Sequence, residues 1–226
     1  MTKLYIIHGW TYDLSPWERV AILLEEQGIT TQLLRVPGLT TPSDRTWTIK
    51  DYVSWADHHL PDGAIALGHS NGGRILLNLL HKNPAKLKGL ILLDSAGIYE
   101  RSLKRFVLRL GAKMFAPLKH IKPLRQLFHR FLGASDYDKA PENMKRTLHN
   151  MIMSDKRLDV SAVTTPTRII WGSADTITPP RQGEKLHHLL KNSQLTIKSG
   201  WPHSPYLKKP TELAQVIARS FEELRT

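Results

Sequence analysis

The sequence predicts an α/β fold in which a mostly parallel, six-stranded sheet is covered by helices on both faces. Short apolar runs alternate along the chain with segments whose apolar residues recur at helical spacing. This alternation is typical of parallel sheets. Most of the runs end at glycine, proline or polar turns, as strands usually do. The predicted strands are residues 4–7, 31–36, 64–67, 87–93, 168–171 and 195–198, and the predicted core helices are residues 16–27, 48–60, 72–81, 180–190 and 211–224.

Composition limits what the chain can be. Its 226 residues suffice for one domain, or for one domain with a sizeable insertion. Hydrophobic residues make up 41% and charged residues 23%, which is typical of globular proteins and not of disordered ones. The absence of cysteine excludes disulfides, thiolate catalysis and cysteine-ligated metals. No apolar stretch approaches the ~20 residues of a membrane span, and Gly9 comes too early for a signal-peptide core, so we expect a cytoplasmic protein.

Residues 97–162 interrupt the alternation, because they hold apolar positions at helical spacing but no convincing strand. Helices are predicted near 103–114, 121–131 and 141–153. Open α/β sheets bind ligands at the carboxyl ends of their strands, so a helical insertion there predicts a cap over the site. We therefore expect a core formed by residues 1–96 and 163–226, and a helical cap formed by residues 97–162.

A serine in a glycine-rich turn is the strongest chemical signal. Residues 68–72, Gly-His-Ser-Asn-Gly, match the pattern G-x-S-x-G and lie between a predicted strand and a predicted helix. In this context the serine occupies a sharp turn that exposes its hydroxyl, and the glycines let strand and helix approach closely. Ser70 is therefore the candidate nucleophile. The alternative is an ordinary serine in a glycine-rich turn, which does not explain why the motif lies between a strand and a helix.

A serine hydroxyl is a weak nucleophile without a base, and candidate partners follow two later strands. Asp175 ends the run Trp-Gly-Ser-Ala-Asp after strand 168–171. His203 ends the run Gly-Trp-Pro-His after strand 195–198. The order serine, acid, histidine is the one expected for this motif. Asp94, directly after strand 87–93, is the alternative acid, and its other interpretation is a turn cap.

These segments resemble the α/β-hydrolase superfamily, in particular serine hydrolases with a helical cap. The matching segments cover nearly the whole chain outside the cap: residues 8–10, 37–38, 68–73, 92–94, 171–175 and 200–205. Within the superfamily the chain is similar to carboxylesterases, pimeloyl-carrier-protein methyl ester esterases and C–C-bond hydrolases of aromatic degradation. It departs from the usual pattern in lacking the first two strands of the eight-stranded fold. It also has Trp201-Pro202 where a glycine often precedes the histidine.

The resemblance implies hydrolysis of a carboxylic ester or thioester through an acyl-enzyme. Ser70 would be the nucleophile, His203 the base and Asp175 the acid that orients it. The backbone N–H groups of Trp10 and Asn71 would form the oxyanion hole. No metal or organic cofactor is required. Two alternatives stay open: C–C-bond hydrolysis within the superfamily, and a non-catalytic cationic module that binds an anionic partner.

Positive charge is concentrated in the predicted cap. The chain has a net charge of +12, and residues 99–131 hold nine lysines and arginines against one glutamate. Three interpretations compete: a solvated polar face, docking of an acidic carrier protein or anionic substrate, and contact with an anionic membrane surface. Resemblance to carrier-protein esterases, which use basic cap residues, favours the carrier slightly. Nucleic-acid binding is disfavoured, because it leaves the serine, acid and histidine unexplained and no reader motif is present.

The remaining histidines receive structural interpretations. His8 precedes Gly9 and is expected to shape that loop through hydrogen bonds. His69 is expected to point away from the Ser70 hydroxyl. The pairs 58–59 and 187–188 lie on predicted helices, where adjacent side chains do not face each other, so no metal site is expected there.

Overall fold

The computed structural model describes residues 2–99 and 140–225. In these ranges the chain forms one sheet of six strands in the order β2-β1-β3-β4-β5-β6, and every pair is parallel. The strands are β1 Leu4–Ile7, β2 Thr31–Leu34, β3 Ala64–His69, β4 Leu87–Leu93, β5 Thr167–Gly172 and β6 Ser193–Lys198. The predicted fold class is confirmed. Strand β2 ends two residues earlier than expected, and the Val36 N–H is bound to the Thr40 hydroxyl, 2.8 Å away.

Helices cover both faces of the sheet, which is why β3 is buried along its whole length. On one face pack α1 Ser15–Glu25, the short α6 Pro205–Lys208 and the C-terminal α7 Pro210–Arg225. On the other lie α2 Ile49–His59, α3 Asn71–Lys82 and α5 Pro180–Leu189. Two apolar layers result. The layer under α1 and α7 contains Trp17 and Phe221, and the opposite layer contains Tyr52 and Trp171.

Part of the predicted cap lies within the described residues. Helix α4 Glu142–Ser154 confirms the helix predicted at 141–153, and a short 3₁₀-helix, Val160–Ala162, leads back to β5. The helices predicted near 103–114 and 121–131 lie outside the described residues. A cap bounded by residues 97 and 162 therefore remains a prediction.

Helix α4 is attached to the loop 43–47 through backbone groups. Asn143 Nδ2 donates to the Ser43 carbonyl at 2.9 Å, and Asn150 Nδ2 donates to the Trp47 carbonyl at 3.2 Å. The Thr147 hydroxyl accepts the Trp47 N–H at 2.9 Å. The three side chains are four and three residues apart, so they share one face of the helix.

Candidate active site

Ser70 occupies a tight turn between β3 and α3. Its backbone has φ 49° and ψ −113°, a conformation that non-glycine residues rarely adopt. The neighbouring glycines make the turn possible. A Cβ on Gly72 would lie 2.0 Å from the Ile7 carbonyl oxygen, and one on Gly68 would lie 2.6 Å from the Gly73 Cα. Only glycine therefore lets the two central strands and α3 meet at this point.

His203 connects Ser70 to Asp175. Its Nε2 lies 2.9 Å from Ser70 Oγ, and its Nδ1 lies 2.7 Å from Asp175 Oδ2. When Nδ1–H donates to the carboxylate, Nε2 presents its lone pair to the serine hydroxyl, which is the tautomer able to accept a proton from it. The three side chains come from the loops after β3, β5 and β6. The structure thus brings together the three residues singled out in the sequence, at the carboxyl edge of the sheet.

Asp175 is held by donors from its own loop. Its Oδ1 accepts the backbone N–H groups of Ile177 and Thr178, at 2.7 and 2.9 Å. Its Oδ2 accepts the Thr178 hydroxyl at 2.7 Å, in addition to His203 Nδ1. Burial acts to raise the pKa of this carboxyl, but the hydrogen bond and charge of His203, together with the Thr178 donors, hold the pKa below its usual value. Asp175 is therefore an anion at neutral pH.

The loop after β1 lies directly against the serine. A Cβ on Gly9 would be 3.0 Å from Ser70 Cβ and 2.7 Å from His69 Nδ1. His8 shapes this loop, as expected, because its Nδ1–H donates to the Gly9 carbonyl at 2.7 Å while Nε2 accepts from the Thr40 hydroxyl at 2.9 Å. Burial lowers the pKa of His8 to about 4, although its bond to Gly9 acts in the opposite direction. The ring is therefore neutral at pH 7.

The two residues expected to supply oxyanion donors border the same point. Asn71 is the first residue of α3, so its N–H has no acceptor within the helix. Trp10 follows Gly9 in the loop that lies against Ser70, and its ring packs against the core. An oxyanion hole formed by the N–H groups of these two residues stays a prediction.

Asp94, the alternative acid, lies nearby but has other partners. It is fully buried in a left-handed conformation with φ 43° at the end of β4. Its Oδ1 accepts the Gly172 N–H at 2.8 Å, while its Oδ2 is buried with no hydrogen-bond donor facing it. The carboxylate bonded to His203 is that of Asp175.

His69 supports the loop that carries His203. Its Nε2–H donates to the His203 carbonyl at 2.8 Å, and the two ring centroids lie 5.0 Å apart. Burial, followed by the nearby His203, lowers the pKa of His69 to about 3. As expected, the ring does not bond to the Ser70 hydroxyl. This contact also supplies an anchor for the Trp201-Pro202 loop, in which the usual glycine is missing.

Sequence reasoning missed two contributions to the site. Thr178 lies three residues after Asp175, a spacing at which an aspartate commonly binds the backbone of its own loop, but nothing local indicates that its hydroxyl would also lie 3.1 Å from His203 Nδ1. Arg74 on α3 pairs with Asp155 and donates through Nη1 to the Asn71 side chain. Arg74 and Asp155 are 81 residues apart, so local patterns carry no signal for this pair.

Within residues 2–99 and 140–225, no cluster of three or more His, Asp or Glu side chains is arranged to hold a metal ion. One histidine of each adjacent pair is hydrogen-bonded to a protein group: His59 to the Trp55 carbonyl and His187 to the Ser193 hydroxyl. Among the described helices, none combines the length and apolar character needed to cross a bilayer.

Comparison with known proteins identifies relatives over nearly the full chain. A pimeloyl-[acyl-carrier protein] methyl ester esterase of Neisseria meningitidis is 28% identical, across 98% of this chain and 93% of its own length. One from Aromatoleum aromaticum is 23% identical, across 95% and 96%. Among solved structures, an esterase from Thermogutta terrifontis superposes with a TM-score of 0.67 at 18% identity, over 100% of this chain and 91% of that one. A monoacylglycerol lipase from Paleococcus ferrophilus also gives 0.67, at 16% identity, over 99% and 96%.

The family described as alpha/beta hydrolase fold matches residues 3–159, which is more than half of the chain. The expectation of an esterase-like enzyme of this superfamily is thereby confirmed. On its sequence as on its fold, the chain belongs to the alpha/beta hydrolase fold family.

Proposed function

We propose that this chain is a serine hydrolase that cleaves a carboxylic ester through an acyl-enzyme, with Ser70, His203 and Asp175 as its triad. One observation carries the proposal: the unbroken line of contacts from Ser70 Oγ through His203 to Asp175, at 2.9 and 2.7 Å. A base hydrogen-bonded to the nucleophile, and itself oriented by a buried anion, is the arrangement that activates a serine hydroxyl.

In the first half-reaction, Ser70 Oγ attacks the ester carbonyl carbon while its proton passes to His203 Nε2. The electron pair of the carbonyl moves onto its oxygen, which the N–H groups of Trp10 and Asn71 stabilise. Collapse of this intermediate breaks the bond to the alkoxy group. That group takes the proton from His203 and leaves as an alcohol, and the acyl group stays on Ser70.

In the second half-reaction, His203 Nε2 takes a proton from water, and the hydroxyl attacks the acyl carbon. The bond to Ser70 Oγ then breaks, and the serine recovers its proton from His203. Asp175 remains ionised throughout and stabilises the imidazolium that forms twice in each cycle. Every proton taken up by His203 is returned, so the cycle needs no cofactor.

The substrate we propose is a methyl ester on an acyl chain borne by an acyl carrier protein. The pimeloyl-carrier-protein esterases among the relatives support this class. The nine basic residues between positions 99 and 131 support an acidic carrier as the docking partner. A substrate free of any carrier is the outcome that the second experiment below separates from it. The cytoplasmic location stays a prediction.

A fluorophosphonate probe tests the triad without any assumption about the substrate. We expect the natural protein to be labelled and Ser70→Ala to remain unlabelled. Ser15→Ala, which removes another serine hydroxyl, is the matched control and should be labelled as the natural protein is. Absence of labelling in a folded natural protein would exclude the proposed mechanism and favour the non-catalytic cationic module.

The substrate proposal is tested with a carrier-borne acyl methyl ester and the same ester on a short thiol. Release of methanol shows cleavage of the ester, whereas a free carrier thiol shows cleavage of the thioester. We expect methanol, with a lower KM for the carrier form and a KM that rises with salt. Replacing Arg101, Lys104 and Arg105 by Gln should raise that KM, while replacing the exposed Lys82, Lys185 and Lys191 should not. Equal KM values for both esters would exclude the carrier.

A further inference from the structure

Asp94 is a buried carboxyl that the proposed mechanism leaves unused. It lies at the end of β4, between the strand that leads to Ser70 and the strand that leads to Asp175. Its side chain is fully buried, and its backbone is held in a left-handed conformation. A buried carboxylate needs donors for both oxygens, or it must lose its charge.

The donors around Asp94 suffice for one oxygen only. Oδ1 accepts the Gly172 N–H, which continues the ladder between β4 and β5 by one step. Oδ2 has no donor facing it. The hydroxyl of Thr178 lies 3.0 Å from the Asp94 backbone carbonyl and 2.7 Å from Asp175 Oδ2. Its single proton is directed to these two oxygens and not to Asp94 Oδ2. An ionised Asp94 would leave Oδ2 desolvated and unpaired.

The ionisable neighbour of Asp94 is Asp175. The Thr178 hydroxyl lies within hydrogen-bond distance of both residues, at 3.0 Å from the Asp94 carbonyl oxygen and 2.7 Å from Asp175 Oδ2. At this proximity the charge of Asp175 opposes a second charge at Asp94. Two adjacent buried carboxyl groups cannot both ionise at neutral pH. Asp175 is the one that remains ionised, since it has three loop donors and His203, whereas Asp94 has a single backbone donor.

We propose that Asp94 is a neutral carboxyl whose Oδ2 carries a proton and donates it in a hydrogen bond to Asp175, so that Asp94 positions the acid of the triad. The unpaired Oδ2 then becomes a donor, and the pair carries one negative charge instead of two. Burial, with a smaller contribution from the charge of Asp175, raises the pKa of Asp94 far above its usual value, despite the Gly172 N–H. Asp94 acts through Asp175, and its own hydrogen bonds go to Ile170, Gly172 and Thr178, so it is a positioning residue. This assignment rests on the proposed triad.

The protonation state is measured first, because it needs neither substrate nor activity. Infrared spectra of the full chain with ¹³C-carboxyl aspartate should show a carboxylic acid C=O band at pH 7. The band should vanish in Asp94→Asn, whose amide keeps an acceptor for Gly172 and a donor for Asp175. It should persist in Asp62→Asn, which alters a highly exposed carboxyl. Absence of the band from the natural protein overturns the inference whether or not Ser70 is reactive.

The positioning role is measured by the pH dependence of fluorophosphonate labelling at Ser70. Asp94→Asn should label at a rate within about threefold of the natural protein. The fall of this rate at acid pH should occur at the same pH in both proteins, since the substitution removes no charge. Asp94→Ala should label about tenfold to a hundredfold more slowly, because a hydrogen bond to a charged group is lost. A fall displaced to lower pH in Asp94→Asn would show that Asp94 was ionised and overturn the proposal, as would an undiminished rate in a folded Asp94→Ala. If Asp94→Ala does not fold, the spectra and Asp94→Asn still decide.

Discussion

Arg74 and Asp155 form a buried ion pair that joins α3, the helix directly after Ser70, to the end of α4. Arg74 Nε lies 2.7 Å from Asp155 Oδ1 and Nη2 lies 2.9 Å from Oδ2. Both side chains are 7% exposed, so solvent screens the pair little. The same guanidinium donates to the Asn71 side chain, and thereby fixes the residue that follows the serine.

Replacing Asp155 by Asn should lower the free energy of unfolding by about 3–5 kcal/mol, because Arg74 would keep its charge in a buried position without a counter-ion. Urea denaturation at neutral pH measures the change. The control is Glu142→Gln, which breaks an exposed pair with Arg146 and should cost less than about 1 kcal/mol. Similar losses in the two variants would show that burial of the Arg74 pair has no energetic consequence.

Gly72→Ala should strongly destabilise the protein, since its Cβ would lie 2.0 Å from a backbone carbonyl oxygen. Overpacking of a core usually costs about 1–3 kcal/mol, and we expect a larger loss here because a backbone atom cannot move aside as a side chain can. Thermal unfolding checks this. Gly63→Ala is the matched variant: its φ is 72°, but no atom lies within 4 Å of the added Cβ. It should cost about 1–2 kcal/mol from backbone strain alone. A Gly72→Ala protein as stable as Gly63→Ala would contradict the close approach of α3 to β1.

Thr178→Val should reduce kcat/KM by about tenfold, because the valine keeps the shape of the side chain but removes the hydroxyl bound to Asp175 Oδ2. Thr178→Ser should retain most of the activity, since it restores the hydroxyl. Steady-state kinetics on a chromogenic ester separates the two. Equal activities of the valine and serine variants would mean that the hydroxyl does not support the acid.

His69 should make the fold less stable as the pH falls. Its folded pKa of about 3 lies below the value near 6.5 of an unfolded histidine, so the unfolded chain binds a proton that the folded chain refuses. The neutral His69 ring therefore contributes its full stability at neutral pH. Below about pH 6.5 the free energy of unfolding falls by about 1.4 kcal/mol per pH unit. His69→Gln keeps a donor for the His203 carbonyl but has no titrating ring. The free energy of unfolding of this variant should therefore fall less between pH 7 and pH 5 than that of the natural protein. Urea denaturation of both proteins at the two pH values gives the comparison, and an equal loss in both would count against a buried neutral ring.

Asp94 should have the opposite dependence. A folded pKa above the unfolded value of ~3.9 means that the folded chain holds a proton that the unfolded chain releases. Its contribution to stability is complete below about pH 4 and declines as the pH rises. Asp94→Asn should therefore gain stability relative to the natural protein between pH 4 and pH 7. Denaturation midpoints at several pH values measure the difference, which would stay constant if Asp94 ionised normally.

The sheet and the three candidate catalytic residues could be predicted because their signals are local. Each of Ser70, Asp175 and His203 follows a strand, and the carboxyl ends of parallel strands share one edge of a sheet. The partners of those residues could not be predicted. Whether Thr178 reaches His203 depends on the distance between two loops. The pairing of Arg74 with Asp155 depends on where α4 ends, and the surroundings of Asp94 depend on the register of β4 against β5.

The polar face of α4 has a consequence for how this protein can evolve. The bonds that Asn143, Thr147 and Asn150 make to the loop 43–47 involve only its carbonyl and N–H groups, which every residue type except proline offers in full. These bonds to the helix can therefore persist when side chains of the loop are exchanged, except at Trp47, whose ring packs against the core. Natural or laboratory selection could vary the loop extensively while the attachment itself is inherited unchanged.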